Sequence, residues 1–229
     1  MTRFSNFLAL ILVVVTALPA SASDQDKAKK ELDKITAMAT DPTGRRIVNL
    51  SMADVLNVKR FDLLMERRNN EINYGSLFLM HQLMLSGGNP QDVAQKLKNG
   101  KTIYQVADEN HPDWKKVYDQ AKTLNSKIDE NLYKHFSADP KEASAKEAAE
   151  DEAANYNIIY DGVKADSDVS QSEMERAQDR YLAWKNRGEE ALKRAGRLNT
   201  ADRNAAYRDN VRSGGPSHGV GSDPPSGVH

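Results

Sequence analysis

Asp108, Glu109 and His111 form the densest group of side chains able to move a proton or hold a metal ion. They sit in the run YQVADENHPDW, residues 104–114. General acid/base catalysis needs a carboxylate or imidazole held in a cleft with a matched pKa. A zinc centre needs three or four ligands at defined spacing. Asp-Glu-Asn-His-Pro has neither the HExxH spacing nor a second ligand-bearing segment, so no catalytic residue, metal ligand or cofactor is expected. The same corner could instead hold a sugar. Tyr104 and Trp114 offer ring faces for stacking, and Asp108 and His111 offer hydrogen bonds to hydroxyls. These four are the candidate ligand-binding residues.

Other patterns fall short of the chemistry they imitate. Asn89 can cap a helix from Pro90, Asn99-Gly100 can stop it and Thr102 can cap a second, which is the outline of a helix-turn-helix. A recognition helix needs basic and amide groups on one face. The second helix here brings Asp108 and Glu109, which repel phosphate, so nucleic acid is not an expected partner. Asp161 to Glu173 imitates the back half of a calcium loop, but Gly162, Lys164 and Ser167 would stand at ligand and turn positions. Ser170 and Glu173 read better as a capping box for the next helix. Residues 100–125 resemble the helical part of a LysM glycan-binding module. Lys101 stands where such modules carry Asp, and no strand flanks the segment. His81, inside the apolar run YGSLFLMHQLML, reads as a core or boundary residue. There is no GxSxG motif, no P-loop and no cysteine nucleophile.

The chain start predicts export. Arg3 precedes a twelve-residue apolar run, Phe7 to Leu18, and Ala20-Ser21-Ala22 gives a small-x-small cleavage pattern. Twelve residues are too few to span a bilayer, which takes about 20. A cleaved signal peptide over 1–22 is therefore expected, with no integral membrane segment afterwards. With no cysteine in 229 residues, neither a lipidated N-terminus nor a disulfide is available. The expected location is periplasmic or secreted. Removing Arg3 with the signal leaves 31 basic and 33 acidic residues, a formal charge of −2, too weak a field to draw in polyanions.

Helices must position whatever the chain does, because no alternating strand pattern occurs. The predicted class is all-α. A helical globular domain of short and medium helices covers 24–136, and a charged Ala/Glu/Lys-rich spacer covers 137–169. An amphipathic helix at 170–197 and a disordered tail at 198–229 follow. Asp41-Pro-Thr-Gly44 reads as a turn, and Ser51 with Asp54 as a capping box for a short helix beyond it. In the next helix, Phe61, Leu64 and Met65 read as the apolar side and Glu66-Arg67-Arg68 as solvated. Tyr74 to Leu85 is apolar nearly all round and predicts a buried helix. Trp114, Val117, Ala121, Leu124, Ile128, Leu132 and Phe136 step by three and four, predicting a long helix docked on Tyr74–Leu85. Met174, Ala177, Tyr181, Trp184 and Gly188 repeat the spacing. The first four are the candidate interaction surface, for a partner helix or for the chain's own globular part.

One resemblance covers about 51–136. Asp-Val-Leu with Arg-Arg, then Tyr74-Gly75 opening an apolar helix, then Gly88-Asn-Pro, then Gln95-Lys-Leu-Lys-Asn-Gly-Lys-Thr-Ile, resembles a group of uncharacterised small exported bacterial all-helical proteins. It implies an all-α fold and export, and no activity. The expected function is a non-enzymatic interaction or structural role in the bacterial envelope, with a protein partner or a second copy. The alternative is a cell-wall glycan-binding protein or enzyme, with peptidoglycan as partner, using the Tyr104–Trp114 corner.

Overall fold

Ser23 starts the first helix by exchanging hydrogen bonds with Asp26. Its hydroxyl accepts the Asp26 amide, and the Asp26 carboxylate accepts the Ser23 amide. The computed structural model describes residues 23–161 and 169–212, with side chains described as far as Arg197. The expected signal peptide and the calcium-like segment at 162–168 lie outside the described residues; of the tail expected over 198–229, residues 198–212 belong to the last helix and those from 213 lie outside the described residues. Among the described residues there are ten helices and no strand, which is the predicted all-α class. None of these helices is long and apolar enough to cross a membrane.

The elements are α1 (Asp24–Met38), α2 (Pro42–Leu56), α3 (Arg60–Asn70), α4 (Tyr74–Leu85), α5 (Pro90–Lys98), α6 (Ile103–Asn110), α7 (Trp114–Ser137), α8 (Pro140–Ala153), α9 (Ile158–Asp161) and α10 (Gln171–Arg212). The Asp41-Pro-Thr-Gly44 turn is itself the start of α2. Asp41 caps it by accepting the Gly44 amide, and Pro42 occupies the first turn, where its missing N–H costs nothing. Ser51 is consequently a buried interior residue of α2 and accepts a hydrogen bond from Asn131 Nδ2 at 2.9 Å; it caps nothing.

α4 is the most enclosed element, with nine of its twelve residues buried. It lies against α1 and α6. Gly75 makes that approach possible, since a Cβ there would sit 2.5 Å from the Leu32 carbonyl oxygen. The Gly75 amide donates to Thr36 Oγ1 instead. The predicted docking of α7 on α4 is corrected by this arrangement. α1 fills the space beside Gly75, and α7 packs chiefly on α10, α1 and α2. Its predicted stripe is otherwise as expected, burying Val117, Ala121, Leu124, Ile128 and Leu132. Val117, Leu124, Ile128 and Leu132 each contribute about 1.5–3 kcal/mol.

α7 and α10 run parallel. Arg180 meets Asn125 and Asp129, Trp184 meets Tyr133, and Gly188 meets Phe136, so residue numbers rise together along both helices. A parallel pair needs a return crossing, and α8 with α9 belongs to it. None of the residues of α8 is buried, in keeping with a solvated Ala/Glu/Lys helix. Its acidic side nevertheless faces α2 and α3, and Asp161 at the end of α9 is fully enclosed. α10 spans 42 residues, about 63 Å at a rise of 1.5 Å per residue. It continues to Arg212, well past Gly188, where α7 has ended.

Candidate functional site

Three local capping arrangements build the principal cleft. Thr102 and Gln105 form a capping box at the start of α6, with bonds of 2.9 and 3.2 Å. Asn73 caps α4 through the Ser76 amide at 2.8 Å and also accepts from Thr36 Oγ1. Glu71, in the left-handed conformation at φ 51°, turns the chain from α3 into that cap. Together they place Ser76, Thr102 and Tyr104 opposite Asp33 of α1, around a cleft of about 500 Å³ floored by Ile72, Leu97, Ile103 and Val169.

The electrostatics of the cleft are uneven. Asp33 makes no hydrogen bond or ion pair with any described residue. Burial, helped by the nearby charge of Glu173, raises its carboxyl above the usual range. Burial also pushes the Tyr104 phenol well up, and the Asp33 charge adds to this. The Lys29 ammonium lies 5.1 Å from the Tyr104 ring centroid.

The four candidate ligand residues do not converge. Tyr104 lines the cleft. Asp108 is exposed and accepts from Gln25 Nε2 at 3.0 Å. Glu109 pairs with Lys96 and Lys101. His111 is exposed and ends α6 in the left-handed conformation at φ 46°. Trp114 begins α7 and packs, partly buried, on the core. No group of three or more His, Cys, Asp or Glu side chains suited to a metal occurs among the described residues.

The candidate interaction surface is largely occupied by the chain itself. Ala177 packs with Ala37 and Val169. Tyr181 meets Phe136 edge-on at 5.3 Å, and Trp184 meets Tyr133 at 6.2 Å. Met174 is 39% exposed. Of the two readings for this stripe, the contacts are those of a helix lying on its own globular part.

A second polar constellation was not anticipated. Arg60, Leu63, Leu64 and Arg67 are the buried residues of α3, so the inward face of the helix begins and ends in arginine. This corrects the reading of Phe61 as core, since it is 40% exposed, and of Arg67 as solvated, since it is 2% exposed. Arg67 Nη1 pairs with Asp161 Oδ1 at 3.2 Å and also donates to the Asp161 carbonyl oxygen. The hydroxyls of Tyr74 and Tyr156 both donate to Asp161 Oδ2 at 2.6 Å. Burial, then the Asp161 charge, drives both phenols up, so they stay protonated donors.

About two turns earlier on α3, Arg60 Nη1 reaches Asp151 Oδ1 at 2.8 Å, and Arg46 Nε of α2 donates to both oxygens of Asp151 at 3.0 Å. Arg60 also donates to Asn49 Oδ1 and lies 4.3 Å from the Tyr156 ring centroid. His135 of α7 bonds Glu147 of α8. Burial pushes the Glu147 carboxyl up, but the His135 bond and the charges of His135, Arg46 and Arg60 leave it below its usual value. His81, read as a boundary residue, pairs with Glu66 at 2.7 Å. The signal for this network was present in the sequence: Arg60 and Arg67 flank two leucines at i, i+3, i+4, i+7 spacing, which marks one helix face.

No protein-family model matches the chain, and no curated protein or solved structure matches it.

Proposed function

We propose that this is an exported bacterial envelope protein with a non-enzymatic role, meeting a protein partner or a second copy of itself through a helical surface. The observation that carries the reading is the length of α10. Its contacts with α7 extend to Gly188 beside Phe136, while the helix continues to Arg212, about 36 Å further. Lys193 to Arg197 are all exposed. Isolated helical segments of that length are marginal in water, so a partner surface would stabilise this one. The leader-like start and the resemblance over 51–136 support export.

The test is a truncation after Glu190, which keeps the Arg180, Tyr181, Trp184 and Gly188 contacts. Light scattering should find the intact protein self-associated, or crosslinking in cells should trap it with a defined partner. The truncated protein should keep its unfolding transition and lose that association. Equal association by both proteins, or none by the intact one, sinks the reading.

The glycan alternative draws its support from Tyr104, which lines the principal cleft. A pelleting assay with purified peptidoglycan tests it. Retention unaffected by Tyr104→Ala ends it.

A further inference from the structure

Asp33 occupies an unusual position for a carboxylate. It is half-buried on α1, faces the cleft rather than bulk water, and has no hydrogen-bonded or ion-paired partner among the described residues. Among the charges near it, Lys29 favours its ionised form but makes no ion pair with it. Lys29, one turn before it on α1, is engaged with the Tyr104 ring. Lys101, on the cleft wall, is already paired with Glu109. Glu173, at the start of α10, adds a second negative charge that disfavours the ionised form of Asp33. Elsewhere among the described residues, enclosed charges are paired, with Arg46 and Arg60 on Asp151 and Arg67 on Asp161. Asp33 departs from that pattern, and it does so in a cavity.

The rest of the wall adds neutral polar groups. The Tyr104 and Ser76 hydroxyls make no hydrogen bond to the described residues, and both line the same cleft. Ile72, Leu97, Ile103 and Val169 provide an apolar floor. A carboxylate with no hydrogen-bonded or ion-paired partner among the described residues, two hydroxyls likewise unbonded and an apolar base suit a small molecule with one positive charge, hydrogen-bonding groups and a compact carbon frame. A bare anion is repelled by Asp33 and Glu71, and an uncharged sugar leaves the Asp33 charge unmet.

We propose that this cleft binds a small hydroxylated primary ammonium compound, the class that includes amino sugars. Asp33 receives the ammonium group, and Tyr104 and Ser76 hydrogen-bond its hydroxyls. The volume of about 500 Å³ is ample for one hexose-sized ring. The inference does not depend on the helical-interaction reading. It concerns α1, α4 and α6, whereas that reading concerns α10 beyond Gly188, so either can fail alone.

The test is isothermal titration of the purified full chain with D-glucosamine, with N-acetyl-D-glucosamine and D-glucose as frames of similar size without the positive charge. A charge-assisted hydrogen bond is worth roughly 1.5–3 kcal/mol, so glucosamine should bind at least about tenfold more tightly than either comparator. Asp33→Asn should lower glucosamine affinity by about tenfold or more. Tyr104→Phe should lower it by a few fold, roughly the value of one neutral hydrogen bond. Asp108→Asn removes an exposed carboxylate outside the cleft and should leave binding unchanged. An unaltered thermal midpoint, or a raised one, shows that Asp33→Asn folds. The proposal is overturned if glucosamine does not bind, if N-acetylglucosamine binds equally well, or if Asp33→Asn and Asp108→Asn have equal effects.

Discussion

Arg67 and Asp161, ninety-four residues apart in the chain, form an ion pair at 3.2 Å with almost no exposure to water. This contact ties the end of the return crossing to the inward face of α3. Its carboxylate is saturated, with Arg67 on one oxygen and the Tyr74 and Tyr156 hydroxyls on the other. Two enclosed charges are tolerated because each has partners that replace lost hydration.

Removing one side of that pair should be costly. Asp161→Asn takes the carboxylate from Arg67 while keeping the shape, and should destabilise the protein by about 3–5 kcal/mol in urea denaturation. Tyr74→Phe deletes one donor and should cost about 1 kcal/mol. A loss below about 1 kcal/mol for Asp161→Asn would mean that water reaches the pair.

Gly188 separates close packing from helix propensity. A Cβ at this position would sit 2.5 Å from Phe136 Cβ, whereas at Gly196 it would meet nothing within 4 Å. Alanine favours a helix by up to about 1 kcal/mol over glycine. Gly188→Ala should nevertheless destabilise, by about 1–3 kcal/mol, because α10 must move off α7. Gly196→Ala should cause no loss. Thermal unfolding of the two variants gives the comparison, and equal effects would show that α10 is loosely seated.

Acid should weaken the junction of α7 and α8. Glu147 has a folded-state pKa below its ordinary value, so the native state binds fewer protons there than the unfolded chain. The stability it contributes is present above the ordinary carboxylate range, about 4.3, and is lost as pH falls through the depressed value. In a series of unfolding midpoints from pH 7 to pH 3, Glu147→Gln should be less stable than the parent at neutral pH. The two curves should converge at the acid end. A constant offset would show that the His135 contact does not depend on the Glu147 charge.

Asp33 should behave in the opposite sense. Its raised folded-state pKa means that ionisation opposes folding above that pKa, and the penalty is relieved as pH falls through it. Asp33→Asn should therefore raise the melting temperature at pH 7, and the advantage should shrink in acid. A stability cost kept at the site whose carboxylate is free for a ligand fits the trade between stability and activity.

The elements were legible in the sequence where apolar spacing and capping residues agreed. The α7 stripe, the enclosure of α4 and the caps at Asn89 and Thr102 follow directly from residue type and period. Pairing between helices was less legible, because Gly75 reads as a modest helix residue until α1 is seen lying against it. The face of α3 was misread because arginine counts as polar in any hydropathy pattern, and only Asp161, far along the chain, makes burial of Arg67 tolerable. Tyr104 was singled out from its neighbours in sequence, whereas the companion it has in space is Asp33, seventy-one positions earlier. Nothing in a linear motif joins those two.

The parallel run of α7 and α10 has a consequence for how the chain acquires its structure. α1 lies against both of them, so the first described helix has no complete surface to bury against until residues up to 188 have been made. Most helical proteins assemble from neighbours in sequence and fold quickly; this one draws its central layer from three widely separated segments and must close long loops first. Synthesis proceeds at roughly 5–20 residues per second, so several seconds to tens of seconds separate the emergence of α1 from that of its partners. On the export reading proposed above, a polypeptide threaded through a translocation pore stays extended meanwhile, and the order of the helices would supply that interval.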